Sequence, residues 1–323
     1  MNTPLISVVI PCYNVKEFLG PCLDSVLNQT FKNFEIICVE DCSTDETKDV
    51  LNYYAGKHKN INVIYNEKNC GLAISRNIGM DKSRGMYIYF LDSDDTISTD
   101  CLRVLYDEII SNDCDIVMGG IRVYPQDVND KFCMERSKSL QGWINFEPFK
   151  KLRIPWQCGY EYYEKLYCCA CNKLYKKSFI TNNNIRFIDK KCCHEDNGFW
   201  LKVLTCGLTI SGLDAQTYFY RIRSLSITDK MDSDKKTHVH DIGRVLNDAR
   251  SFSKNKHNKT MYKFINDEIY KLKRHWLVYF VWNKFEKSLK LLRCPVFGLR
   301  FDYKENMFKL KILGIPVCKW RKK

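Results

Sequence analysis

The sequence contains an acidic string, Asp92-Ser93-Asp94-Asp95, and an acidic pair, Glu40-Asp41, that differ from ordinary surface charge in how tightly they are grouped. Carboxylates brought together repel one another unless a cation joins them. Hard oxygen donors of this kind select Mg²⁺ or Mn²⁺, ions that often complete their shells with water and phosphate oxygens. If the two groups converge, a divalent cation and a diphosphate ligand follow. If they do not, Asp92 to Asp95 is a solvated turn in which Asp95 or Ser98 caps the next helix, and Asp41 is a turn or cap residue.

Convergence depends on the elements that carry these groups. Apolar runs at 5–11, 34–39, 61–65, 87–91 and 116–118 are nearly continuous and rich in Val and Ile, as strands covered on both faces should be. Helical patterns at 16–29, 45–55, 72–83 and 100–111 alternate with them, which predicts an α/β fold with a mainly parallel central sheet and helices on both faces. In such sheets ligands bind outside the carboxyl ends of the strands. Three segments lie there: Pro11-Cys12-Tyr13-Asn14, Glu40-Asp41-Cys42-Ser43 and Asp92-Ser93-Asp94-Asp95. The spacing Ser43-Thr44-Asp45-Glu46 predicts a capping box at the start of the second helix, and Pro21 predicts a kink or late start in the first.

From 121 to 175 the rhythm is irregular, with aromatic and Cys-rich stretches that suit binding loops. Beyond 229 the composition turns basic and helical at 254–290, then runs to Trp320-Arg321-Lys322-Lys323. These shifts place a boundary near Thr228, between a domain at 1–228 and a mainly helical basic extension at 229–323.

The chain has 323 residues, 45% of them hydrophobic, enough to bury a sizeable core. Its formal charge of +13 favours an anionic partner. The 17 cysteines are scattered and partly sit within apolar runs, as Cys12, Cys22 and Cys38 do. With no basic, apolar leader at Met1, this usage predicts free thiols in a reducing cytoplasm. Among Cys168, Cys169, Cys171, Cys192, Cys193 and His194 there is one C-x₂-C spacing, Cys168 to Cys171, but no second such pair to complete a structural zinc site. No apolar run reaches the roughly 18 residues of a membrane span. Neither a G-x-G-x-x-G after the first strand nor a phosphate-binding G-x-x-x-x-G-K-[ST] is present, which speaks against dehydrogenase and ATPase readings. His275, Trp276, Tyr279, Phe280 and Trp282 lie in the basic stretch without a nucleic-acid motif, so no nucleic-acid partner is expected. That stretch suits either peripheral contact with an anionic membrane surface or an amphipathic helix packed on the rest of the protein.

The strings ISVVIPCYN, FEIICVEDCSTDET, NCGLAISRNIGMDKSRGMYIYFLDSDD, CNKLYKKSF and HEDNGFW occur in this order. Together they resemble the family 2 glycosyltransferases of bacterial surface-polysaccharide synthesis, over about residues 5–228 and most specifically at 69–95. The resemblance implies a GT-A fold, with a nucleotide-sugar-binding half at 1–98 and an acceptor half at 99–228. It implies an inverting transferase that moves a hexose or N-acetylhexosamine from a UDP-sugar to a hydroxyl of a glycan or lipid-linked acceptor, using Mn²⁺ or Mg²⁺, in the cytoplasm or at the inner face of the cytoplasmic membrane.

By the same resemblance, Pro11 and Tyr13 line the base pocket and Asp41 accepts a hydrogen bond from the base. Arg76 lies in the segment that meets the nucleotide, Asp92 approaches ribose and sugar, and Asp94 ligates the metal. In His194-Glu195-Asp196 the aspartate is the general base, with Glu195 beside it; as plain sequence the acidic pair would also suit a helix start. One of Arg221 and Arg223, with Arg223 favoured, stands near the diphosphate. The family's Asp-Asp-Gly-Ser appears here as Glu40-Asp41-Cys42-Ser43, so a cysteine stands where glycine's backbone freedom is usual. Two other readings remain, a nucleotide-sugar-binding scaffold without turnover and a sugar-nucleotidyltransferase. The second expects a Gly-rich N-terminal signature that is not there.

Overall fold

Seven consecutive buried residues in each of Ile6–Cys12 (β1) and Phe34–Glu40 (β2) make these strands the centre of the protein. The computed structural model describes residues 3–223, apart from 128, 131–132, 136, 139–147, 164–165 and 167–168, together with 235–272, 297–302, 307–312 and 315–321. The remaining strands of the main sheet are Ile61–Tyr65 (β3), Tyr87–Phe90 (β4), Thr96–Ile97 (β5), Ile116–Pro125 (β6), Phe149–Ile154 (β7), Lys173–Lys176 (β8) and Leu208–Ile222 (β9). They form one nine-stranded sheet in the order β3-β2-β1-β4-β8-β6-β9-β5, with β7 also paired to β9. The half around β1 is parallel, since β1 pairs with β2 and β4 and β2 with β3. In the other half β8 runs antiparallel between β4 and β6, and β9 is parallel to β6 but antiparallel to β5 and β7.

The helices include Lys16–Leu27 (α1), Thr47–Lys57 (α2), Leu72–Lys82 (α3), Cys101–Ser111 (α4), Lys177–Asn182 (α5), Glu195–Cys206 (α6) and Lys235–Asn255 (α7), and a further helical run lies at 259–272. They cover both faces, as β-strand alternation requires of a sheet with two apolar sides. Ile6, Val8, Ile10 and Cys12 share a core with Leu19, Leu23 and Val26 of α1 and Leu102, Leu105 and Ile109 of α4. On the opposite face Phe90 packs edge-on against Phe187 and Phe199, at centroid distances of 5.4 and 6.0 Å. There α3 approaches β1 so closely that a Cβ on Gly79 would run into the Val9 side chain.

Several expectations change. The first helix starts at Lys16 and runs unbroken through Pro21, so the late start does not occur. The ring is exposed, and the Glu17 carbonyl that loses its usual donor can be hydrated. The capping box does not form either: α2 begins at Thr47 without a side-chain cap bond. Ser43, Asp45 and Thr47 instead accept hydrogen bonds from the backbone N–H groups of Asn14, Lys16 and Val15, at 3.1, 3.1 and 2.9 Å. These bonds tie the loop after β2 to the loop after β1.

The division of the chain also falls later than residue 228, which itself lies outside the described residues. Residues Met1–Ile269 form one compact unit and Tyr270–Lys323 another. The physical reason is α7, whose Val245 faces Gly198 of α6 and whose Asp248 pairs with Lys202 at 2.5 Å. Buried Thr205 and Ser253 hydroxyls meet at 3.0 Å along the same contact. The first part of the expected extension is therefore core of the first unit. In the second unit the described residues beyond 272 are not helical: Phe297–Asp302, Met307–Ile312 and Ile315–Arg321 form an antiparallel three-stranded sheet. Residues 273–296, including the aromatic basic stretch, lie outside the described residues.

Gly79→Val should destabilise the protein by about 1–3 kcal/mol through overpacking against Val9. The change should appear as a lower urea midpoint at unchanged m, and an unchanged midpoint would mean that α3 is not seated on β1.

Candidate functional site

The loops after β1, β2 and β4 meet at the carboxyl edge of the parallel half, as the strand order dictates. Pro11 is buried within β1, and Tyr13, two residues on, is 45% exposed. Asp41 is buried and largely committed to its own chain. Its Oδ1 accepts bonds from Asn66 Nδ2 at 2.7 Å and the Cys70 N–H at 2.8 Å, and its Oδ2 accepts the Gly71 N–H at 2.7 Å. A carboxylate offers about four lone-pair positions, so little capacity remains for a ligand. Gly71, at φ +90°, is the residue before α3, so Asp41 fixes where that helix starts. Cys42 occupies the position where the resembling family has glycine and adopts φ 60°, the left-handed region that glycine enters freely.

From α3 the Arg76 side chain projects inward, and its residue is fully buried. Its Nη1 donates to Glu195 Oε1 at 2.8 Å and Asp196 Oδ1 at 2.5 Å, and its Nη2 donates to Asp92 Oδ1 at 2.7 Å. The guanidinium stands over the Phe187 ring at 5.3 Å. Three predicted residues, Asp92, Glu195 and Asp196, are thus brought together on a fourth. These carboxylates take up the Nη donors of Arg76.

Burial acts on Arg76, Glu195 and Asp196. It would lower the Arg76 pKa, but Asp196, Asp92 and Glu195 more than compensate and raise it. Burial and then the Asp196 charge push Glu195 up to about 7, against the pull of Arg76. Asp196 is also raised by burial, with Arg76 opposing. Its side chain is 24% exposed, against 9% for Glu195, so Asp196 is the member of the pair more open to a substrate. The pair begins α6, directly after His194 at φ 64°. The helix-start reading therefore holds at these two residues.

Asp94 and Asp95 face the other side of the site. Asp95 does not cap a helix: its Oδ2 accepts the Tyr218 hydroxyl at 2.6 Å and its Oδ1 the Arg221 N–H at 2.7 Å. The Asp94 main-chain carbonyl accepts from Arg221 Nε at 2.9 Å, and Asp94 Oδ2 accepts from Arg223 Nε at 2.7 Å. Both guanidinium groups stand over the Phe18 ring, at 5.4 and 5.1 Å. Burial raises the Asp94 pKa, Arg223 opposes this, and Asp92 adds to it. Tyr218, Phe18 and Phe187 had no motif to mark them; they are ordinary aromatics placed by the long strand β9, by α1 and by the chain between α5 and α6.

Among the described residues no three His, Cys, Asp or Glu side chains are grouped as a protein-only metal cage. The donors fit a different arrangement, a hard divalent cation held by one carboxylate and completed by water and phosphate oxygens. Asp94, with its side chain 22% exposed, has the chemistry for that part.

Residues 7–182 match glycosyl transferase family 2, and the chain belongs to that family. Its fold is that of the GT-A glycosyltransferases: Staphylococcus aureus TarS 1–349 in complex with UDP-GlcNAc superposes with a TM-score of 0.63 at 22% identity, over 81% of this chain and 72% of that one. Among sequence relatives, the putative teichuronic acid biosynthesis glycosyltransferase TuaG of Bacillus subtilis is 37% identical over 131 residues, 40% of this chain and 52% of TuaG. The uncharacterized glycosyltransferase EpsJ of the same organism is 30% identical over 227 residues, 70% of this chain and 63% of EpsJ. The chain thus spans between about half and two thirds of the length of these relatives.

Arg76→Ala would leave buried Glu195 and half-buried Asp92 and Asp196 without their cation and should cost about 3–5 kcal/mol of stability. Arg76→Lys should recover only part, because an ammonium cannot span the three acids as a planar fork does. Denaturant titration of both variants measures this. Glu195 gives a second expectation. Because its pKa is raised from the ordinary 4.5 to about 7, the folded protein takes up a proton in that window and its contribution to stability falls as pH rises through it. Wild type should therefore lose stability between about pH 5 and about pH 7.5 relative to Glu195→Gln, and parallel urea midpoints would refute the assignment.

Proposed function

We propose that the protein is an inverting glycosyltransferase that moves a hexose or N-acetylhexosamine from a UDP-sugar to a hydroxyl of a glycan or lipid-linked saccharide during synthesis of a bacterial cell-surface polysaccharide. The observation that carries this reading is the joining of Asp92 and Asp196 through Arg76, which sets a donor-side carboxylate and a partly open acceptor-side carboxylate at one site. The UDP-GlcNAc complex of TarS and the teichuronic acid biosynthesis named for TuaG support the donor and product classes.

Asp196 is the general base. It accepts the proton of the acceptor hydroxyl as that oxygen attacks the anomeric carbon, while the bond from that carbon to the diphosphate oxygen breaks and the diphosphate leaves with the electron pair. Arg76 holds one Asp196 oxygen and keeps the carboxylate pointed and charged. Glu195, with a pKa near neutrality, limits the negative charge collected around that single cation. Asp92 approaches the donor ribose and sugar. Pro11 and Tyr13 flank the base, and Asp41 shapes the pocket by fixing the start of α3. Asp94 would hold Mn²⁺ or Mg²⁺, whose charge offsets that building on the leaving diphosphate.

Among the described residues no helix is long and apolar enough to cross a membrane. The reading places the reaction in the cytoplasm, with peripheral contact at the inner membrane face where the acceptor is lipid-linked.

A transfer assay over a panel of UDP-, GDP- and dTDP-sugars with Mn²⁺ tests the activity. Asp196→Asn should lower kcat by about 10²- to 10⁴-fold, the range of a general base, and EDTA or Asp94→Ala should abolish transfer. Undiminished turnover in Asp196→Asn would remove the base assignment. Donor binding without transfer to any acceptor or to water would favour a binding scaffold.

A further inference from the structure

Asp94 does not present a bare carboxylate. Its Oδ2 is bonded to Arg223 Nε at 2.7 Å, in a pair whose side chains are 19% and 22% exposed, and so this ion pair is screened less than a surface one. The bond is not an accident of a loose side chain. Arg223 directly follows β9, and that strand is tied to the same acidic loop by the Tyr218 hydroxyl and by the backbone N–H and Nε of Arg221. Phe18 of α1 supports the Arg223 guanidinium from its face. A guanidinium delivered in this way and a divalent cation compete for the same carboxylate.

The competition depends on what the cation brings with it. A bare ion that takes Asp94 strands the Arg223 charge in a half-buried setting beside a second charge of the same sign. An ion that arrives bound to a diphosphate offers Arg223 new oxygens, of the kind a guanidinium grips with two parallel bonds. We propose that Arg223 is a built-in counter-ion of Asp94, which makes the site take a divalent cation together with a nucleoside diphosphate and disfavours the cation alone. The inference rests on Asp94 as the metal ligand of the proposed transferase. It adds to that reading the form in which the ion is accepted and the residue that decides it.

Mn²⁺ binding to the full chain, followed by the paramagnetic resonance signal of free Mn²⁺ with and without UDP, tests this without turnover. Wild type should bind Mn²⁺ alone weakly, and UDP should tighten it on the order of tenfold or more, within the usual range of coupling between two ligands. Arg223→Gln should bind Mn²⁺ alone on the order of tenfold tighter than wild type and gain less from UDP. Equal affinity for Mn²⁺ alone in wild type and Arg223→Gln, with Asp94→Asn still weakening Mn²⁺ binding in the presence of UDP, would overturn the counter-ion role and leave the metal assignment standing. If Asp94→Asn binds Mn²⁺ with UDP as wild type does, the metal assignment falls and the counter-ion role falls with it. Thermal melts check that the variants fold. Should Arg223→Gln not fold, Arg223→Lys keeps the charge and loses the Nε bond; an intermediate gain in Mn²⁺ affinity is expected, and no gain overturns the proposal.

Discussion

A single buried guanidinium holds the site together. Arg76 lies where burial penalises every charge, yet it is surrounded by Asp92, Glu195 and Asp196 at 2.5 to 2.8 Å. Three carboxylates against one cation leave an excess of negative charge, and the raised pKa of Glu195 shows how the site relieves it. A hydrophobic cluster of the same volume would be at least as stable, since buried ion pairs rarely repay their desolvation. What the charged cluster provides is position. Residues 16 and more than 100 apart in the chain are held on one planar fork, whose donors fix both distance and direction.

The sheet explains why such a brace is needed. Its parallel half presents the loops after β1, β2 and β4 at one edge, and bonds from Ser43, Asp45 and Thr47 stitch two of those loops together. Glu195 and Asp196 stand instead at the start of α6. On this second side β9 does comparable work: fifteen residues long, it pairs with β5, β6 and β7 and presents Tyr218 and Arg221 to the acidic loop, with Arg223 just beyond its end. Asp92 to Asp95 is consequently gripped from two directions, by Arg76 at Asp92 and by Arg221 and Arg223 at Asp94. A loop that would be repelled apart in isolation is held in one conformation by cations that the fold supplies.

Much of this was legible in the residues. Continuous apolar runs marked β1 to β4 because a strand covered on both faces has no polar side to show, and helices between them forced the parallel order. That order placed Asp41 and Asp92 to Asp95 at one edge before any distance was known. The ordered motifs marked Glu195 and Asp196 as well. Less visible was β9, whose sequence mixes Thr209, Ser211, Asp214, Gln216 and Thr217 with its apolar residues and so lacks the continuous apolar run of β1 or β2. The capping box failed for a related reason: Ser43 and Thr47 accept from backbone donors of the neighbouring loop, and Asp45 divides its oxygens between that loop and the Thr47 N–H.

Local sequence therefore decided the strands, the helices and the set of acidic groups, because hydrophobic periodicity and chain reversal are short-range properties. Only tertiary structure decided what each charge faces. Arg76 could equally have met a diphosphate, and Asp94 could have stood alone; which carboxylate meets which guanidinium depends on contacts between segments up to about 130 residues apart, Asp94 and Arg223 among them. Electrostatic partnership in a buried site is set by distance through space and by lost solvent, and neither is written in the spacing of residues along the chain.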